Sequence, residues 1–213
     1  MVKAAPPPTE SADEERDALA SRVSRGSLFK GSIAALSALA GVAVGGAQLA
    51  ASADSGGSAA TDRKILTYGL LIERLQAAFY AEALDRGHLT GEVRQFARIV
   101  GAEELAHVKY LSAALGSSAG ASPRFHFGDS VTDSARFIAT AVSLEETGLG
   151  VYNGQAVSLT PKTLAAAARV VSVEARHAGW ARALAGKDPA PLAVDVPISV
   201  AQANQTFKPF IAP

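Results

Sequence analysis

Four glutamates and two histidines recur at matched spacings inside apolar, helix-periodic segments, and no other feature constrains the fold as much. Glu73 precedes Glu104 and His107, and Glu145 precedes Glu174 and His177. The lone glutamate and the following Glu-x-x-His are 31 positions apart in the first half and 29 in the second. Glu73 shares its helix face with Leu66, Leu70, Ala77 and Tyr80; Glu174 shares its face with Ala167, Val170, Ala178 and Ala181. Glu104 and Glu145 sit on comparable stripes, so all four carboxylates point inward. An uncompensated buried carboxylate costs several kcal/mol. Four of them would approach the whole stability of a domain, about 5–15 kcal/mol. No lysine or arginine shares these faces to neutralise them. Two divalent cations would cancel four negative charges, and a bundle with one glutamate on each of two helices and Glu-x-x-His on the other two can hold such a pair.

A second repeat selects Glu145 over its neighbour Glu146. Tyr80 follows Glu73 by seven residues and Tyr152 follows Glu145 by seven, two helical turns in each case. The chain therefore carries an approximate internal twofold. Tyr80 and Tyr152 are candidate hydrogen-bond donors to the ligands, or redox-active groups, against the simpler reading of core tyrosines. Glu82 falls on the opposite face and should meet water. His88 and His126 lie in or beside loops and read as surface residues, and Trp180 reads as core packing.

The bulk composition is consistent with this. Twenty basic and 20 acidic residues balance, so a nucleic-acid partner is not expected. The absence of cysteine excludes disulfides and thiolate chemistry and leaves nitrogen and oxygen as the strong metal ligands.

Residues 1–53 read as separate from the fold. Arg22, Arg25 and Lys30 precede an uncharged Ala/Gly-rich run at 31–53 that ends in Ala51-Ser52-Ala53, the layout of a cleaved export signal. Ser24-Arg25-Gly26-Ser27-Leu28-Phe29-Lys30 resembles a twin-arginine signal, imperfectly, because Gly26 replaces the second arginine. The alternative is an uncleaved N-terminal anchor, since 23 uncharged residues could contact or cross ~30 Å of hydrocarbon. The expected location is the periplasm or cell envelope, exported or membrane-anchored. Residues 54–61 read as a linker.

Four helices are expected: Asp62–Arg86, Thr90–Leu115, Val131–Ser158 and a last one opened by Thr160-Pro161 and ending near Gly186. Short loops within each pair make antiparallel hairpins, and the long Gly/Pro/Ser-bearing segment 116–130 serves as a crossover. The fold class is thus all-α, a four-helix bundle at 62–186 with one long crossover. Five prolines in 187–213 suggest an extended C-terminal strap with no helix.

The segments ILTYGLLIERLQAAFYAEAL (65–84), EELAHVKYL (103–111), SLEETGLGVYNGQA (143–156) and VVSVEARHAGW (170–180) resemble the ferritin-like superfamily. With the tail DVPISVAQANQTFKPFI (195–211), they look most like exported bacterial ferritin-like domain proteins related to desiccation-related proteins. The resemblance implies that Glu104 and Glu174 bridge two metals. Glu73 and His107 would complete one, and Glu145 and His177 the other. It implies iron or manganese, with oxygen or peroxide as reactant in a di-iron oxidoreductase or ferroxidase, or a manganese catalase-like enzyme. A non-catalytic metal-binding or stress-protective envelope protein is the alternative, serving under oxidative or drying stress, and a homo-oligomer is compatible with either. Iron-storing cages of the superfamily usually add a short fifth helix, so the expected strap argues against a storage shell.

Overall fold

The computed structural model describes residues 57–213. The expected export signal or anchor, and the first residues of the expected linker, lie outside the described residues. Among the described residues no helix is long and apolar enough to cross a membrane.

Helix α1 spans Ala59–Arg86, α2 Gly91–Leu115, α3 Ser134–Gln155 and α4 Pro161–Leu184. α1 starts three residues before the expected Asp62, because the Ser58 hydroxyl accepts the Thr61 N–H and caps the helix earlier. α3 is shorter at both ends than expected. Asp133 caps its start by accepting the amides of Ala135 and Arg136, and a 3-10 turn at Ala156–Ser158 closes it. α1 packs along α2 and α3 along α4; the two hairpins meet through α1 against α3 and α2 against α4.

One buried carboxylate ties the hairpins together at an end. Asp62 on α1 accepts the backbone N–H of Thr160 at 2.9 Å and the hydroxyls of Thr160 and Thr163 at 2.6 and 2.5 Å. It thereby satisfies donors at the N-terminus of α4, where negative charge is favourable. Burial works to raise its carboxyl, but the threonine bonds outweigh burial and hold it below the usual range.

The other end of the bundle is filled by rings. Phe79 stacks on Phe137 at 5.2 Å, Tyr80 meets Phe96 edge-on at 5.7 Å, and Phe96 meets Trp180 at 5.2 Å. Edge-to-face and offset pairs at these separations add to the area that the rings bury. Trp180 is only partly buried, and its indole N–H donates to Glu92 at 3.2 Å.

The tail corrects the expectation of a wholly extended strap. Residues 187–199 are extended or bent, but α5 follows at Val200–Phe207. Ser199 and Gln202 form a reciprocal capping box that starts α5, and Pro209 lies just beyond its end. The prolines flank a helix; they do not forbid one. A short fifth helix is thus present, and the tail gives no ground against a storage shell. α5 buries Ala203 and Phe207 against the bundle, and Asn204 accepts the Tyr68 hydroxyl at 3.0 Å. Past α5, residues 211–212 pin the crossover: Phe125 and Ile211 form an antiparallel bridge, and the Ala212 N–H donates to the Arg124 carbonyl at 2.9 Å.

The strap can lie on α3 because α3 presents glycine there. The Ile198 N–H donates to the Gly150 carbonyl at 2.9 Å, and a Cβ at Gly154 would stand 2.1 Å from the Ile198 carbonyl oxygen. Glycine in a helix ordinarily costs about 1 kcal/mol relative to alanine. At residue 154 the steric conflict with backbone exceeds that gain. Gly154→Ala should therefore destabilise the protein by about 1–3 kcal/mol, as measured by urea unfolding. A stabilised variant would show that the strap does not sit on α3.

Candidate metal centre

Each of the four long helices delivers part of one cluster. α1 supplies Glu73, α2 Glu104 and His107, α3 Glu145, and α4 Glu174 and His177. The four glutamates are 0 % exposed, a burial that carboxylates almost never reach without partners. Their donor atoms converge as two groups. Glu73, Glu104, His107 and Glu174 form one, and Glu104, Glu145, Glu174 and His177 form the other; within each group the donors lie within 4.8 Å of one another. Glu104 and Glu174 belong to both. All six residues singled out by spacing thus come together, while Glu146 is partly exposed and accepts from Arg182 at 2.7 Å. Glu82 pairs with Arg86 at the surface, and His88 and His126 are exposed.

The imidazoles both face inward through Nδ1. His107 Nδ1 lies 3.2 Å from Glu73, 3.2 Å from Glu104 and 3.0 Å from Glu174. His177 Nδ1 lies 2.8 Å from Glu104, 3.7 Å from Glu145 and 3.8 Å from Glu174. One N–H cannot satisfy three carboxylates. Both Glu174 oxygens, one oxygen each of Glu104 and Glu145, and His177 Nδ1 are left buried with no hydrogen bond of good geometry. Buried polar atoms are rarely left so. Lone pairs that converge with too few donors between them suit cations, so the donor set is compatible with a pair of divalent metal ions.

The electrostatics of the protein by itself point the same way. Burial and the charges of Glu174, Glu73 and Glu145 push the Glu104 carboxyl well up, and burial with the Glu73 charge raises Glu174 to about 8. Burial would depress the histidines, but hydrogen bonds to Glu104 and neighbouring carboxylates raise His107 to about 12 and His177 to about 11. Burial would raise Glu73 too, yet the His107 and Tyr152 bonds hold it below the usual range. The cluster takes up protons to relieve its own repulsion, and a cation can replace them.

The tyrosines reach across the bundle. Tyr80 donates to Glu145 at 2.5 Å, and Tyr152 donates to Glu73. The shared face within each helix was legible in the sequence; the partner is the glutamate of the other hairpin, because α1 and α3 run antiparallel. Burial and the adjacent carboxylate charges push both phenols well up, so they remain donors. Each tyrosine needs a close backbone. A Cβ at Gly101 would stand 2.7 Å from Tyr80 Cβ, and one at Gly69 would stand 3.2 Å from the Tyr152 hydroxyl.

Two residues escaped the sequence reading. Glu103 bonds His177 Nε2 at 2.6 Å, holding the ring so that Nδ1 aims at the cluster. Its side chain is half exposed, and periodicity treats such a residue as solvated surface. The repeat places Val173 at the corresponding position, so His107 lacks this partner. Gln76, one turn from Glu73, is fully buried with neither amide atom hydrogen-bonded, and it lies against Gly148. It reads as just another member of the α1 stripe until its burial is known.

The family model for the ferritin-like domain matches residues 61–187. No curated protein matches the chain.

Glu174 is raised from 4.5 to about 8 and the histidines from 6.5 to about 12 and 11, so the folded metal-free protein binds protons that the unfolded chain releases. A raised folded value gives stability that is present below the unfolded value and lost as pH climbs through the folded one. After chelation the melting temperature should fall as pH rises from about 5 to about 8, and added divalent metal should flatten that dependence. A metal-free protein that grows more stable over this window would contradict the electrostatics.

Proposed function

Because the chain belongs to the ferritin-like domain family, we propose that it is a di-metal protein whose two ions, iron or manganese, are held by carboxylates and imidazoles in the bundle core. The observation that carries this reading is the sharing of Glu104 and Glu174 between two four-donor groups. Shared carboxylates are what a bridged pair requires. Glu73 and His107 would complete one position, and Glu145 and His177 the other. When bound, the ions would supply one-electron redox chemistry toward oxygen or peroxide.

The residues around the donors do the rest. Tyr80 and Tyr152 fix the free edges of Glu145 and Glu73 by hydrogen bonds and keep these carboxylates from rotating. Glu103 holds His177 in the tautomer that presents Nδ1, the usual service of a carboxylate behind a ligating histidine. The ring-packed end excludes water from one side. A second reading, a non-catalytic metal-holding or stress-protective protein, is favoured by the closure of the site, since all four glutamates are inaccessible.

Anaerobic titration with ferrous iron should saturate near two ions per chain, and peroxide should then change the absorption spectrum with turnover. Glu104→Ala and Glu174→Ala should each abolish binding of the pair. Metal uptake without turnover would favour the second reading, and no uptake would sink the di-metal reading and the metal-holding form of the second. In the same titration Glu103→Gln should weaken one of the two ions by about 10–100-fold and leave the other nearly unchanged. Equal weakening of both ions would remove Glu103 from its assigned role.

A further inference from the structure

The internal repeat makes the two ends of the bundle comparable, and they are not alike. The offset of 70 that carries Glu104 onto Glu174 and His107 onto His177 also carries Phe96 onto Ala166 and pairs Tyr110 with Trp180. At the Tyr80 end, Phe96 and Phe137 pack on the tyrosine at 5.7 and 5.9 Å, and Tyr80 is 0 % exposed. At the Tyr152 end the position of Phe96 is taken by alanine, and no aromatic ring packs on Tyr152 among the described residues. The volume left open is a cavity of about 340 Å³.

Its position ties it to the metal centre. The wall includes Leu111, one turn beyond His107, and Val170, one turn before Glu174. Tyr152 also lines it, and the hydroxyl of that residue donates to Glu73. The rest of the wall is leucine and alanine together with Tyr110 and Thr163, whose hydroxyl is already given to Asp62, and no aspartate or glutamate lines it directly. Lys162 supplies the single charge and is exposed. It forms no ion pair among the described residues.

The geometry points to a binding site for a small apolar molecule with one anionic end, a carboxylate of medium chain length, with its chain against Leu111 and Val170 and its head at Lys162. Size and lining are those of a ligand pocket, about 300 Å³ or more and apolar with a few polar groups that fix orientation. Such a ligand would lie within one helical turn of the donors, so the inference rests on the di-metal reading for its chemistry but not for its binding.

Octanoate and octanol are the probes, titrated calorimetrically into metal-stripped and metal-loaded protein, with metal content measured in parallel. Octanoate should bind once per chain, and more tightly than octanol. Ala166→Phe rebuilds the packing that the chain already uses at the other end and should weaken octanoate at least tenfold while metal uptake is retained. Ala114→Phe at the exposed rim is a second plug, with the same expectation if Ala166→Phe folds poorly. Lys162→Ala should erase the preference for octanoate over octanol. Absence of saturable octanoate binding, or an affinity in both plugged variants unchanged from that of the parent protein, overturns the site. An unchanged preference in Lys162→Ala overturns the anionic end. Metal binding without octanoate binding defeats the pocket alone, whereas octanoate binding without metal binding upholds the pocket and defeats the di-metal reading.

Discussion

Mutual repulsion among four fully buried carboxylates is the constraint on which the rest of this structure depends. Carboxylates in a low-dielectric core must be neutralised by cations or by protons, and among the described residues the cationic side chains that reach them are two imidazoles. Everything near the cluster serves that problem. The helices converge so that two carboxylates are shared, the tyrosines reach across from the opposite hairpin, and glycine at Gly69 and Gly101 admits them. A bundle of this kind gains its stability from packing, but its register is set by where the charges can be answered.

The near-twofold repeat explains both the site and its departures from symmetry. Equal offsets produce equal ligand sets because antiparallel hairpins place equivalent turns at one height. Away from the ligands the repeat has diverged. Glu103 stands against Val173, Gln76 against Gly148, and Phe96 against Ala166. These differences give one histidine an extra carboxylate, place a lone amide in the core, and leave one end of the bundle sealed by rings while the other is open.

The C-terminal segment does work that a bundle by itself does not need. It lies on the glycines of α3, packs α5 on the core, and clips the crossover through the Phe125–Ile211 bridge. The long connection between hairpins is thereby held without regular structure over most of its length. The proline count misdirected the reading of this region, since proline reports only on its own residue and the one before it. The Ser-x-x-Gln box at Ser199 was the better signal, because it supplies the hydrogen bonds that start a helix.

What the sequence determined alone was periodic and local. The places of the four long helices, the antiparallel hairpins and the six inward donors follow from residue spacing, because in a helix spacing fixes angle and angle fixes burial. The family likeness rests on the same residues. What only the tertiary structure decided was contact between segments. Tyr80 bonds Glu145 rather than its own helix's glutamate, a half-exposed Glu103 steadies a buried histidine, and a cavity opens where alanine replaces phenylalanine. Such facts depend on which helix lies beside which and in what register, and those relations belong to the packed chain and to no single stretch of it.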